Sequence, residues 1–224
     1  MIAGIVLAAG RSSRLGRPKQ LLPVHGEPLI RHTLRQVLAS SLDQVILVIG
    51  HEADEVRAAV ADLPVACVFN PDAAVGQSTS LRAGLAALSP DVEAAVFILG
   101  DHPGVDPAVI DALVTAWRTS GASVAAPRYE DRMGNPVLFD RRVFPELAAL
   151  EGDTGARPVV RAHRDRGDLH VVPVPGHAPP DVDTEADYAA LIAALSPQPA
   201  SIPPLPEHDE QGEGSGVRVV GGEH

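Results

Sequence analysis

With 224 residues and a formal net charge of −11, the chain has the length of one large α/β domain or two small ones, and its periodic pattern, unbroken to about residue 195, favours one. A domain of that size buries roughly 70% of its unfolded surface and needs neither disulfides nor a structural metal; the single cysteine, Cys67, reads as a small core residue and fits a reducing compartment. The acidic balance, without any dense basic stripe, excludes nucleic acid as a main partner and requires local positive charge wherever an anionic substrate binds.

Residues 2–9 form a continuous apolar run ending at Gly10, the pattern of a buried parallel strand. Arg11 and Arg14 follow this run instead of preceding it, which argues against an export signal. No segment approaches the ~20 apolar residues of a membrane span, and the chain is expected to be cytoplasmic, with no membrane partner. After a polar loop at 10–19, Pro28 opens a helical pattern with Leu29, Leu34, Val37 and Leu38 on one face. A second strand is expected at 45–49, a helix at 54–63, a short strand at 65–69, a helix at 78–88 and a fourth strand at 94–99. Beyond the turn Gly100-Asp101-His102-Pro103, strands are expected at 124–127, 136–139 and 169–174, with helices at 141–150, 156–164 and 185–195, the last capped by Thr184.

Strands alternating with helices of ten or more residues predict βαβ units. The expected fold is therefore a single three-layer, Rossmann-like α/β domain over residues 1–195, with a mostly parallel sheet and helices on both faces. From residue 196 to 224 the composition turns to Pro, Gly, Glu and Ser, which cannot bury enough surface to offset ordering entropy; a disordered tail is expected there. In sheets of this kind ligands sit outside the carboxyl ends of the strands, where Gly10 and Gly100-Asp101 both fall.

The loop Gly10-Arg11-Ser12-Ser13-Arg14-Leu15-Gly16-Arg17-Pro18-Lys19 is dense in groups that hold a polyphosphate. Its glycines allow successive backbone N–H groups to converge on anionic oxygens, while Arg14 and Lys19 supply positive charge against an unfavourable net field. Lys19 is the only lysine beside 17 arginines, which points to chemistry that needs a compact ammonium. The loop is neither a Walker A sequence nor a dinucleotide fingerprint. The nine histidines are scattered, with no metal-binding spacing among them.

The stretch LAAGRSSRLGRPKQLLP resembles the signature of the MobA-like nucleotidyltransferases, in particular the molybdenum cofactor cytidylyltransferases. Stretches similar to the same family follow in order: GQSTSL from Gly76, LGDHPGV from Leu99, GNPVLF from Gly134, GDTGAR from Gly152 and DVDTEADY from Asp181. The resemblance implies that Leu7, Ala8, Ala9, Gly10, Arg11, Ser12, Gly16 and Lys19, with Gly76, Gln77 and Ser80, hold the nucleotide. It implies Arg14, Lys19 and Asp101 as catalytic residues, and Asp101 with Asp183 as ligands of Mg2+ (or Mn2+). Magnesium takes one or two carboxylates plus waters and phosphates, so the assignment requires the fold to bring these two aspartates together.

The form Ala8-Ala9-Gly10 resembles the cytidylyl-transferring branch, whereas guanylyl-transferring relatives read A-G-G. A missing methyl leaves room for a purine, a discrimination of only ~1–3 kcal/mol. The implied reaction moves a cytidylyl group from CTP to the phosphate of molybdenum-bearing molybdopterin and releases pyrophosphate. His102, Pro103, Asn135, Gly155 and Arg157 are the implied acceptor-binding residues, and a molybdenum hydroxylase or its maturation factor the implied transient partner. Two alternatives stay open: a sugar phosphate or other small phosphorylated acceptor, and a non-catalytic nucleotide-binding chaperone.

Overall fold

The computed structural model describes residues 1–11, 17–180, 182 and 184–195. Its first strand, β1 (Ile2–Ala8), is buried along almost its whole length, as an apolar run flanked on both sides requires. A single-turn 3-10 helix (Lys19–Leu21) leads into a small hairpin of β2 (Pro23–Val24) and β3 (Glu27–Pro28). His25 and Gly26 both take positive φ at its tip, the geometry that a two-residue hairpin loop needs. Then follow α1 (Leu29–Leu38), β4 (Gln44–Ile49), α2 (Ala53–Ala59), β5 (Ala66–Phe69), α3 (Gln77–Ala86) and β6 (Ala94–Leu99). The second half contains α4 (Pro107–Ser120), β7 (Val124–Arg128), β8 (Val137–Asp140), α5 (Phe144–Ala148), α6 (Arg157–Asp165), β9 (Leu169–Pro173) and α7 (Glu185–Leu195).

The large sheet has seven strands in the order β5-β4-β1-β6-β8-β7-β9, and only β8 runs against its neighbours. Residues of α1, α2 and α4 pack on one face through Ile30, Leu34, Val56, Ile110 and Leu113. On the other face Leu81 of α3, Leu147 of α5 and Val159 of α6 meet Ile5, Val48, Phe97 and Phe139. The three-layer α/β expectation holds. Among the described residues no helix is long and apolar enough to cross a membrane.

Two features depart from the sequence expectations. The 14-residue helix α4 was not among the expected elements, although Asp106 accepts from Ala108 N at 2.8 Å as its N-cap and Pro107 opens it. The helix expected at 141–150 divides into a 3-10 turn (Arg141–Val143) and the five-residue α5, with Pro145 inside the first turn. The cap predicted for α7 is present in reciprocal form. Thr184 Oγ1 accepts from Asp187 N at 3.2 Å, and the Asp187 carboxylate accepts from Thr184 N at 2.8 Å. The expected tail, 196–224, lies outside the described residues.

Candidate active site

The chain runs from β1 outward to β4 and β5, then returns to the other side of β1 as β6, so the strand order reverses between β1 and β6. Ligands of open α/β sheets bind at such a switch point, outside the carboxyl ends. The parallel register pairs Leu7 with Leu99, which sets the Ala9-Gly10 turn beside Gly100-Asp101. This close approach depends on Gly100, where a Cβ would stand 3.0 Å from both the Ala8 Cβ and the Leu7 carbonyl oxygen. Gly100 is further fixed by its N–H to Leu7 O at 2.9 Å and by Thr33 Oγ1, which donates to its carbonyl at 3.0 Å.

Across this edge Lys19 Nζ donates to Asp101 Oδ2 at 3.3 Å, although the two residues are 82 apart in sequence. Their side chains are 12% and 26% exposed, so the ion pair is largely withdrawn from water yet open on one side. Gln20, next to Lys19, is buried and donates through Nε2 to Ala8 O at 3.0 Å and Gly10 O at 3.3 Å. It fastens the Lys19 turn to the end of β1, a role its place in the motif did not announce. Arg17 grips α7 from the same loop: it donates to Glu185 Oε1 at 2.9 Å and stacks over Tyr188 at 5.5 Å. Val182 is buried with Leu22, Val24 and Leu29, so the segment before α7 packs on the hairpin that follows Lys19. Ser12, Arg14, Gly16 and Asp183 lie outside the described residues.

The Gly76 and Gly152 motifs form one structure. Gly76 has φ +142°, and Ser78 Oγ donates to Gly152 O at 2.8 Å while Gln77 N donates to Asp153 Oδ1 at 3.3 Å. Asn70, which the sequence reading did not single out, donates to Thr79 Oγ1 at 2.8 Å and Ser80 Oγ at 3.0 Å. Ser80 is consequently buried beneath the loop. Gly155 abuts Gln77, since a Cβ there would meet Gln77 Oε1 at 2.6 Å.

Between this structure and the sheet lies a cleft of about 830 Å³. Leu7, Phe97, Leu99, Ala126 and Val137 contribute apolar lining, and Gln77, His102, Asn135, Gly155 and Arg157 border it. Six of the expected nucleotide and acceptor residues thus converge: Leu7, Gln77, His102, Asn135, Gly155 and Arg157. Asn135 is held by Tyr129, whose hydroxyl donates to its carbonyl at 3.0 Å. Pro103 is buried and lies off the cleft wall, while Gly10 and Arg11 are exposed and also lie off it. Ala8 and Ala9, at 2% and 4% exposure, have their methyl groups packed in the two core clusters. Any reading of a base at this turn therefore goes through the backbone. Among the described residues no group of three or more His, Cys, Asp or Glu side chains could hold a metal.

Relatives share this architecture. Nicotine blue oxidoreductase of Paenarthrobacter nicotinovorans is 33% identical over 167 residues, covering 71% of this chain and 81% of that protein. The purine catabolism protein PucB of Bacillus subtilis is 28% identical over 213 residues, covering 87% of this chain and 98% of its own length. The crystal structure of Rv0371c from Mycobacterium tuberculosis H37Rv in complex with manganese is similar at a TM-score of 0.76 and 38% identity, over 87% of this chain and 99% of that one. The family model of the MobA-like NTP transferase domain matches residues 4–167, and the chain belongs to that family of nucleotidyltransferases.

Proposed function

We propose that this chain transfers a cytidylyl group from CTP to the phosphate of molybdenum-bearing molybdopterin, releasing pyrophosphate. The observation that carries the reading is the Lys19–Asp101 pair at 3.3 Å on the switch-point edge, above a cleft large enough for a heterocyclic acceptor. A divalent cation fits the donor chemistry: Asp101 offers a hard carboxylate oxygen that is still reachable from solvent. Asp183 is the proposed second carboxylate, beside a Val182 already seated on the hairpin after Lys19. The cation, Mg2+ or Mn2+, would neutralise charge on the phosphate oxygens; the manganese complex of Rv0371c supports a divalent metal.

The residues of the chain supply the rest. Lys19 presents an ammonium in a water-poor position, where it stabilises charge that grows on the phosphates far better than it would in bulk solvent. Asp101 holds that ammonium in place, and Gln20 holds the backbone that carries it. Arg14, with the N–H groups of the glycine-rich loop, is proposed to cradle the triphosphate. Gln77 and the Gly76 turn are proposed to border the base, and Asn135 and Arg157 the acceptor. No protein nucleophile or base is needed, because the attacking phosphate is already anionic. A molybdenum hydroxylase or its maturation factor would receive the product.

Product analysis tests the reading. Incubation with CTP, magnesium and either a phosphorylated pterin or a sugar phosphate should yield a CMP-linked pterin and no CMP-linked sugar. A CMP-linked sugar would change the acceptor and leave the site chemistry standing. One relative bears the name of an oxidoreductase; oxidation of a reduced nicotinamide without pyrophosphate release would replace the reading altogether.

A further inference from the structure

Although the chain carries a net charge of −11, the cleft wall concentrates arginine: Arg132, Arg157, Arg161 and Arg164 border it, against Asp153 as its one carboxylate. Three of them lie on α6 at positions i, i+4 and i+7, which places them along one helical face. Four surface arginines elsewhere pair with carboxylates: Arg31 with Asp62, Arg35 with Glu27, Arg57 with Asp54 and Arg142 with Asp140. Arg157 and Arg161 have no carboxylate within 4 Å among the described residues, whereas Arg164 pairs with the neighbouring Asp165 and Arg132 with the neighbouring Asp131 at 3.8 Å. Unpaired guanidinium groups beside apolar lining raise the local potential for an anion.

The helix that bears them is firmly anchored. Its buried His163 is held between Asp168 Oδ2 at 3.0 Å and Glu146 Oε1 at 3.3 Å, and Asp168 also accepts from Ser123 N at 2.8 Å. The arginines are therefore presented from a fixed backbone, with Arg157 at the start of α6, two residues after the Gly155 that abuts Gln77, and Arg161 and Arg164 further along the helix. One helical turn separates Arg157 from Arg161, about 6 Å along the axis.

We infer that Arg161, with Arg164 on the same helical face and Arg132 on the same cleft wall, forms a second anion subsite that selects acceptors bearing an anionic group remote from the phosphate that reacts. This rests on the acceptor assignment above, with Arg157 at the reacting end. The acceptor class is then a flat heterocyclic body with negative charge at both ends, separated by roughly one helical turn.

Calorimetric titration of the full chain with phenyl phosphate and with 4-carboxyphenyl phosphate tests it. The two probes share a body and a phosphate, and only the second has a distal anion. The wild type should bind 4-carboxyphenyl phosphate about tenfold more tightly, as a charge-assisted contact to a guanidinium allows. Arg161→Gln should bring the ratio close to one while leaving phenyl phosphate affinity unchanged, and Arg118→Gln, on α4 of the opposite face, should leave the ratio intact. Equal affinities in the wild type, no binding of 4-carboxyphenyl phosphate at millimolar concentration, or a ratio that survives Arg161→Gln would each overturn the subsite. The titration uses no CTP and no turnover, so failure of the transfer reaction leaves its outcome readable.

Discussion

Gly76→Ala puts a methyl group where backbone already stands. A Cβ at this position would lie 2.3 Å from the carbonyl carbon and oxygen of Gly152 and 2.5 Å from Asp153 N, distances that real Cβ atoms do not show. The φ of +142° and ψ of 171° fall in a region open to glycine alone, which costs an L-residue ~1–3 kcal/mol. Overpacking adds ~1–3 kcal/mol, reduced where the neighbour can yield, as the exposed turn at Gly152 partly can. A loss of about 2–4 kcal/mol is expected, which at ~2–4 °C per kcal/mol for a domain of this size lowers Tm by roughly 4–16 °C. Thermal unfolding followed by far-UV circular dichroism measures it. Gly152→Ala is the control: its φ is +64°, but a Cβ there meets nothing within 4 Å, so only the strain of about 1 kcal/mol remains. If Gly76→Ala melted within about one degree of the wild type, or no lower than Gly152→Ala, the argument that these two loops are locked by contact would be wrong.

Lys19→Ala should lower turnover by ~10²–10³, the cost of losing a preorganised charge-stabilising donor, while the loss of a partly exposed ion pair costs only ~1 kcal/mol of stability. Near-normal pyrophosphate release in that variant removes Lys19 from the mechanism. Gly10→Ala meets nothing within 4 Å and should leave Tm unchanged but weaken nucleotide binding by about tenfold if phosphate approaches this backbone; unchanged binding refutes the approach. At acid pH the exposed Arg31–Asp62 pair matters, because the hydrogen bond from Arg31 lowers the Asp62 carboxyl to about 2. The folded value lies below the unfolded one of ~3.9, so this contribution is full above about pH 4 and is lost as pH falls toward about 2. Arg31→Gln should flatten that part of an acid-unfolding profile, and an unaltered slope would show that the pair contributes nothing.

The strands were legible where both faces are buried, since 2–9, 45–49 and 94–99 read as near-continuous apolar runs and became the central β1, β4 and β6. The Ala9-Gly10 turn and the turn after β6 were legible because each is local, and a strand end fixes its place at the sheet edge. That Lys19 reaches Asp101 is different: only the β1–β6 register joins positions so far apart. The direction of β8 had no local signature, because four residues carry no polarity and the turn from β7 sets it. The arginine wall was hidden for a similar reason. Arg132 comes from the β7–β8 connection and Arg161 and Arg164 from α6, and their meeting is a property of the sheet order. Gln20 stood inside a motif whose charged residues drew the attention, and its function is seen only when its amide is found on Ala8 and Gly10.

The central claim is tested most directly by magnesium-dependent pyrophosphate release from CTP, GTP, ATP and UTP, each with and without molybdopterin. Release from CTP, and only when the pterin is present, is the predicted result. A preference for GTP would keep the site and correct the base. No release from any nucleotide, in a protein that binds them, would contradict nucleotidyl transfer to this acceptor.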